Sequence, residues 1–295
     1  MKIRFWGVRG SIPSPGPRTV RYGGNTTCIE VETDDGQTII LDAGTGIYPL
    51  SQVLLWKMPV CCSIFITHTH WDHIQGLPFF VPFFIPVNSI RIYGGFDPVL
   101  QRDIGEVLSR QMEYCFFPVR EAELKADIQY RPLYEKQTVE IGSAKVTNIV
   151  MNHTVLNFGY RIDCNGKSLF FTGDHEKLYN IYESGDDSYL EYENLISLKN
   201  VMVADFIRGV DILIADSAYT EREYPAKKGW GHSTHDMCVD MAREAGVKAL
   251  YLTHHEPLRD DDELDQIERH LRGKYSGANE ALALSIAYEG LEISL

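Results

Sequence analysis

Apolar and polar residues alternate in short stretches over the first third of the chain, and glycine turns separate these stretches. A period of two between turn residues is typical of β-strands. The triplet Asp34-Asp35-Gly36 lies between the second and third stretches and predicts a hairpin turn. The pattern predicts five strands, at Lys2–Val8, Thr26–Glu32, Gln37–Asp42, Ser63–Thr67 and Ser89–Tyr93.

Further along the chain the same pattern recurs and then alternates with helical spacing. Strands are predicted near 125–131, 137–141, 144–150, 157–163 and 167–172, and later at Val210–Asp216 and Val247–Thr253. Helices are predicted at Asp97–Gln111 with Asp97 as N-cap, at His232–Ala245 with Ser233 or Thr234 as cap, and after the capping box of Asp260 and Glu263. Two strand-rich halves with helices between them predict two sheets packed face to face with helices outside.

The composition is that of an ordinary soluble globular protein. The 295 residues are 44% hydrophobic, which excludes a disordered chain, and 28 basic against 41 acidic residues give a net charge of −13. This charge argues against a general nucleic-acid-binding surface. The six cysteines show no CxxC spacing, the N-terminus has no signal-peptide core, and the apolar run Leu77–Val87 is short and interrupted by prolines. A cytoplasmic protein without a membrane partner is therefore expected.

No repeat or linker divides the chain, so one domain over residues 1–295 is expected, with an insertion at about 176–208. The stretch Glu176–Asn194 carries six acids, one lysine and four tyrosines. It is interpreted as a solvated helical hairpin whose tyrosines cover the body, or as a lid or dimer contact. The run Leu77–Val87 is a second candidate for a homodimer contact or a substrate wall, with burial under the insertion as the alternative.

The segment THTHWDH, at residues 67–73, carries the clearest chemistry in the sequence. It holds His68, His70, Asp72 and His73 directly after a predicted strand. Imidazole is the commonest zinc ligand, and two histidines separated by one residue on an extended turn place both rings on one side. A metal site is therefore predicted here.

This segment resembles the HxHxDH signature of the metallo-β-lactamase superfamily. The resemblance implies an α/β fold, a four-layer αββα sandwich, with a mono- or dinuclear metal site at one edge. It also implies that Asp42, in LDAGTG, supports the site without binding metal. The implied ligands are His68, His70 and His153 for one metal and Asp72, His73 and His254 for the other, with Asp174 shared.

Two histidines next to these ligands leave alternatives open. His254 and His255 are adjacent in YLTHHEP, and His254 is preferred because it follows the strand directly. His175, next to Asp174, either supports the site from behind or faces solvent. The cofactors expected are two divalent ions, zinc first because of the histidines, with manganese as the alternative because of the carboxylates.

The segment GWGHST, which contains His232, resembles the GHST motif of ribonuclease Z and related phosphodiesterases. By this resemblance His232 protonates the leaving oxygen or braces the phosphate, and Asp216 orients its ring and raises its pKa. The alternatives are a histidine at a helix cap and an ordinary aspartate at a strand end. Basic and amide side chains on glycine turns, Arg9, Asn25 and Lys228, are predicted to contact phosphate; otherwise they belong to solvated loops.

The combined motifs resemble a bacterial branch of small phosphodiesterases near ribonuclease Z, often described as cyclic-nucleotide phosphodiesterase-like. The expected activity is hydrolysis of a small phosphodiester by a hydroxide that two metal ions activate and Asp72 orients. The alternatives are ribonuclease Z-like processing of RNA 3′ ends, hydrolysis of a carboxylic ester, lactone or thioester, and a metal-binding sensor. A small phosphodiester is the expected partner, with no stable nucleic-acid partner.

Overall fold

The computed structural model describes residues 1–275 and 282–295. Its strands in chain order are β1 (Lys2–Gly7), β2 (Cys28–Glu32), β3 (Thr38–Leu41), β4 (Cys61–Phe65), β5 (Ser89–Gly95), β6 (Asp127–Leu133), β7 (Thr138–Ile141), β8 (Ala144–Met151), β9 (Asn157–Cys164), β10 (Lys167–Phe171), β11 (Ile212–Asp216), β12 (Ala249–Thr253), β13 (Ala283–Ile286) and β14 (Glu292–Ser294). They form two sheets of seven strands, ordered β14-β1-β2-β3-β4-β5-β6 and β13-β12-β11-β10-β9-β8-β7.

Helices flank both sheets. The α-helices are α1 (Ile47–Leu54), α2 (Trp71–Ile74), α3 (Ile104–Ser109), α4 (Tyr189–Ile207), α5 (His235–Glu244) and α6 (Asp261–Lys274). Short 3₁₀ turns lie at Leu55–Lys57, Leu77–Phe79, Val81–Phe84, Arg110–Met112, Glu121–Glu123 and Tyr224–Ala226.

The main core lies between the two sheets, because alternate residues of each strand face the opposite sheet. Phe5 and Val31 of the first sheet pack in one cluster with Phe158 and Ile214 of the second. Two further clusters lie on the outer faces. One joins the first sheet to α1 and α3, and the other joins the second sheet to α4, α5 and α6. The predicted α/β sandwich with four layers is confirmed.

The topology gathers one end of several strands at a single edge. In the first sheet β3 runs parallel to β4, and in the second β10, β11, β12 and β13 are mutually parallel. β8 and β10 are both antiparallel to β9, so β8 ends at the same edge as β10. The residues predicted to form the metal site lie at this edge. Asp42 follows β3, the segment 67–73 follows β4, His153 follows β8, Asp174 follows β10 and His254 follows β12. Asp216 ends β11, and His232 lies in the loop after it.

The helix predicted at Asp97–Gln111 is wrong in its start. α3 begins at Ile104, because Asp103 and Glu106 form a capping box there. Gln101, with a φ of 54°, interrupts the helical backbone before that point. Asp97 instead caps a turn, where its carboxylate accepts the backbone N–H groups of Val99 and Leu100.

Three other helical predictions have different outcomes. α5 begins at His235 with Thr234 as the N-cap, so His232 lies in the preceding loop. The capping box of Asp260 and Glu263 opens α6 as predicted. The insertion is not a helical hairpin: residues 177–188 are irregular and α4 is its single helix.

The prolines in the run Leu77–Val87 divide it into two 3₁₀ turns. Leu77, Phe80 and Phe83 are buried in the outer cluster that also contains α1. This cluster contains no residue of the insertion. Burial under the insertion is therefore wrong. Within the described ranges, no helix combines the length and hydropathy that crossing a bilayer requires.

Candidate metal centre and active site

The loop after β4 is anchored by Asp42 at the end of β3. One oxygen of the buried Asp42 carboxylate accepts the backbone N–H of Thr67 at 2.7 Å. Its other oxygen accepts the Thr67 hydroxyl at 2.9 Å and the Nδ1–H of His73 at 2.7 Å. Because Asp42 fixes Nδ1 as the protonated nitrogen of His73, the Nε2 atom is left to act as a donor to a metal.

A first group of possible metal donors joins the loops after β4, β8 and β10. His70 Nδ1 lies between two other imidazole nitrogens, 3.0 Å from His68 Nε2 and 3.1 Å from His153 Nε2. Asp174 Oδ2 lies 3.5 Å from His68 Nε2. These four residues, with donor atoms within 4.8 Å of one another, are called donor set 1: His68, His70, His153 and Asp174.

A second group uses the other oxygen of the same carboxylate. Asp174 Oδ1 lies 3.1 Å from His73 Nε2 and 3.2 Å from His254 Nε2. His254 Nε2 is also 3.1 Å from Asp72 Oδ2. These residues form donor set 2: Asp72, His73, Asp174 and His254. Asp174 therefore faces both sets, one oxygen to each.

Unpaired atoms and charge both fit divalent ions in these sets. His73 Nε2 and Asp174 Oδ1 are buried without a hydrogen-bond partner, which is costly unless a ligand satisfies them. Burial lowers the pKa of His70 and His153, so both rings are neutral and able to bind metal. Burial would also lower the pKa of His73 and His254, but the surrounding carboxylates outweigh it and raise both pKa values. The site thus contains negative charge that cations would balance.

The structure separates His254 from His255. His254 adopts a φ of 61° and belongs to donor set 2. The buried His255 turns away, and its Nε2 donates to the Ala287 carbonyl at 2.8 Å. The backbone at Gly10 passes so close to His254 that a Cβ there would come within 2.2 Å of its ring. His175 is buried and accepts the N–H of Asn152 through Nδ1, so it does not face solvent.

His232 lies against the donor sets without being part of set 1 or set 2. Its Nδ1 is 2.9 Å from Asp216 Oδ2 and 3.8 Å from Asp174 Oδ2, and its ring stacks on His254 at 4.7 Å. Burial lowers the pKa of His232, but the charge and hydrogen bond of Asp216 outweigh it and raise the pKa to about 9. The side chain is 12% exposed, so the ring retains an accessible edge. Asp174, Asp216, His232 and His254 also form a third group of donor atoms within 4.8 Å.

The three residues predicted to contact phosphate differ in burial: Arg9 is buried, Asn25 is partly buried and Lys228 is exposed. The Arg9 side chain is fully buried, where Nε donates to the Gly23 carbonyl and Nη1 to the Arg259 carbonyl. Arg9 therefore braces two loops, and its predicted phosphate contact is wrong. Asn25 donates through both its backbone N–H and its amide to Glu289. Its contact with phosphate stays a prediction.

Lys228 is exposed, and its Nζ lies 3.9 Å from the ring centre of Tyr179 in the insertion. Its phosphate contact also stays a prediction. The preceding lysine lies near a neighbour of His232: Lys227 Nζ is 5.3 Å from the ring centre of Tyr219, and the ring centres of Tyr219 and His232 are 5.8 Å apart.

Glu176 is a supporting residue that the sequence reasoning missed. Its carboxylate is buried and accepts the N–H groups of Gly229 and Gly231, each at 2.9 Å, and the hydroxyl of Tyr224 at 2.7 Å. The Gly231 carbonyl in turn accepts the Nδ1–H of His153 at 2.8 Å. Glu176 thus fixes the loop that orients a donor of set 1. The sequence marks Glu176 only by its place two residues after Asp174, because the partners of its carboxylate lie more than 45 residues further along the chain.

Three comparisons with known proteins show the family of this chain and its relatives. The family described as "Beta-lactamase superfamily domain" matches residues 37–255. Ribonuclease Z of Archaeoglobus fulgidus is 26% identical over 285 residues, covering 86% of each chain.

Solved structures share the fold at low sequence identity. The metallo-β-lactamase fold protein YhfI of Bacillus subtilis has a TM-score of 0.66 at 17% identity, covering 99% of this chain and 98% of YhfI. Unliganded yeast PDE1 has a TM-score of 0.64 at 16% identity, covering 100% of this chain and 99% of PDE1. With the family match over most of the chain, these findings show that the chain belongs to the metallo-β-lactamase superfamily of hydrolases.

Proposed function

We propose that the protein is a metal-dependent phosphodiesterase that hydrolyses a small phosphodiester, such as a cyclic nucleotide. The observation that carries this proposal is the pair of His232 and Asp216 beside two donor sets that share Asp174. A paired imidazole next to two cation sites suits a reaction in which an alkoxide leaves a phosphorus atom held by the cations.

Donor set 1 and donor set 2 would each hold one divalent ion. Nitrogen donors favour zinc, and the carboxylates of Asp72 and Asp174 also suit manganese. When bound, the ions would neutralise charge on the phosphoryl oxygens and lower the pKa of the attacking water. Asp42 would keep His73 in the tautomer that binds metal.

Two side chains would handle protons. Because Asp216 holds the Nδ1 of His232, Nε2 is the nitrogen from which a proton would pass to the leaving oxygen. The Asp72 carboxylate would accept a hydrogen bond from the attacking water and so orient it. One of its oxygens is held by the N–H of Ser11 at 2.6 Å, which fixes the carboxylate in place.

Processing of RNA 3′ ends is a second candidate, which the relatives named Ribonuclease Z favour. The net charge of −13 disfavours a long polyanion. The exposed acids Glu183, Asp186 and Asp187 lie in the insertion that begins two residues after Asp174. These charges support a small substrate over an RNA.

The test is a substrate screen of protein loaded with zinc or with manganese. It includes cyclic mononucleotides, a dinucleotide, bis(p-nitrophenyl) phosphate, a precursor tRNA, and a carboxylic ester, a lactone and a thioester. We expect the highest kcat/KM on a small phosphodiester and its loss in Asp174→Asn. Faster cleavage of the precursor tRNA would support the RNA candidate, and activity confined to the carbonyl substrates would refute the proposal.

A further inference from the structure

A cavity of about 280 Å³ lies directly beside the metal-binding motif. One wall is the segment Thr67–Thr69, which contains the metal donor His68. A second wall is Thr154–Leu156, which follows the metal donor His153. The third is the segment between β5 and α3. The cavity therefore adjoins donor set 1 at His68.

The walls of this cavity are mainly aliphatic. Val99 and Leu100 line it and are 85% and 57% exposed, although they lie next to a predicted catalytic centre. Exposed apolar side chains grouped at one place commonly mark a binding site. Among the described residues that line it, the one charged side chain is Asp97, which accepts the N–H groups of Val99 and Leu100, and there is no lysine or arginine. These walls suit an uncharged apolar group.

The floor of the cavity depends on a residue without a side chain. A Cβ at Gly95 would lie 2.8 Å from Leu156 Cδ2 and 3.3 Å from Phe158 Cε2. Gly95 therefore keeps open the space between β5 and the loop after β8. Any larger residue there would require Leu156, which lines the cavity, to shift.

The position of the cavity indicates which part of a substrate it would hold. His232, which we propose to face the leaving oxygen, is absent from the cavity walls, whereas His68 and Thr154 form part of them. A group bound in the cavity would therefore be the substituent that stays on phosphorus.

We propose that this cavity binds an uncharged aliphatic substituent of the phosphodiester, the one retained in the product; this inference rests on the proposed function. In the reaction, water adds to phosphorus, the P–O bond to the other substituent breaks, and the departing oxygen takes a proton. The alkyl phosphate monoester formed then lies with its chain in the cavity. The substrate class is thus an acyclic diester with one aliphatic arm, which narrows the small phosphodiester proposed above and leaves out cyclic nucleotides.

The experiment compares methyl p-nitrophenyl phosphate with hexyl p-nitrophenyl phosphate as substrates. Burial of two or three methylenes should raise kcat/KM of the wild type for the hexyl diester by roughly tenfold or more. Val99→Asn and Val155→Asn should lower kcat/KM for the hexyl diester and so remove most of this preference. The matched control Val201→Asn changes a half-exposed valine of α4 and should keep the full preference.

The outcomes separate this inference from the proposed function. Equal kcat/KM for both diesters in the wild type, or a preference unchanged in both variants, would overturn the cavity assignment and leave the phosphodiesterase standing. No hydrolysis of either diester would overturn both. Calorimetry with hexylphosphonate and methylphosphonate gives the same comparison without turnover. Tighter binding of hexylphosphonate, lost in Val99→Asn, is the expected result.

Discussion

The two donor sets differ in burial, in charge and in the way the fold supports them. In donor set 2 all four residues are buried, and two of them are carboxylates. In donor set 1 His70 and His153 are only partly buried, and Asp174 supplies the one carboxylate. Set 2 therefore offers a drier site with more negative charge, and set 1 faces the surface from which a substrate would arrive.

The supports of the two sets come from different parts of the chain. Set 2 is held by Asp42 at the end of β3 and by the close backbone of Gly10 and Ser11. Set 1 is held through the Gly231 carbonyl, on a loop that Glu176 anchors. This difference suggests a tightly bound ion in set 2 and a more exchangeable ion in set 1.

Removal of the shared carboxylate should have the largest effect. In Asp174→Asn each set loses a charged donor, so the affinity for both ions should fall by more than the 10- to 100-fold, roughly, that is typical of supporting residues. Activity should fall with it. Metal content per chain after dialysis is the measurement. Retention of both ions would contradict the shared role of Asp174.

Asp42→Asn should act mainly on set 2, because Asp42 binds His73 directly and reaches set 1 only through Thr67, whose hydroxyl lies 3.1 Å from His68 Nδ1. The asparagine would present an N–H₂ group where His73 Nδ1 and the Thr67 hydroxyl now donate, which would disturb the tautomer of His73. We expect a loss of about 10- to 100-fold in affinity for one ion of the two. The control Asp187→Asn changes an exposed acid of the insertion. Equal weakening of both ions, in a protein with an unchanged circular dichroism spectrum, would refute the separation of the sets.

Glu176→Gln is the corresponding change for set 1, with a smaller effect. Its amide nitrogen cannot accept the N–H of Gly229 or Gly231, so the loop that orients His153 should loosen. We expect the affinity for one ion to fall by roughly tenfold, at the lower end for supporting residues, with the other ion unchanged. Equilibrium dialysis of the variant beside Glu183→Gln, which changes an exposed acid of the same segment, tests this. Unchanged affinity for both ions would remove the role given to Glu176.

Of the variants considered, His255→Ala should have the smallest effect on metal, and His254→Ala is its matched contrast. His254→Ala should lose one ion, whereas His255→Ala should keep two. Because His255 is buried and bonded to the Ala287 carbonyl, its loss should lower the free energy of unfolding by about 1–3 kcal/mol. Metal content and urea denaturation of both variants check this. A loss of metal in His255→Ala with intact binding in His254→Ala would reverse the assignment.

The segment around His68 predicted metal donors from its own histidines and aspartate. His153 and Asp174 were predicted only through the family resemblance, and the ends of the strands bring these three residues together. Arg9 could not be judged in the same way. Its position on a glycine turn is local, but its burial depends on carbonyls of Gly23 and of Arg259, 250 residues away.

The start of α3 and the supporting role of Glu176 were missed because both depend on contacts that compete with one another or are distant in the sequence. Asp97 and Asp103 are both plausible N-caps, and the reciprocal hydrogen bonds of Glu106 select Asp103. The role of Glu176 rests on Gly229 and Gly231, which no spacing in the sequence connects to it. Apolar periodicity thus predicts strands and their ends, but not the partners of a side chain across the fold.

The leaving-group dependence of His232→Ala tests the central claim most directly. With metal content matched, kcat/KM of wild type and variant would be measured on methyl aryl and methyl alkyl phosphodiesters whose leaving groups differ in pKa. If His232 donates the proton, the variant should lose little with p-nitrophenolate and about 100-fold or more with alkoxides. Equal losses on all leaving groups, or a loss explained by missing metal, would contradict the account.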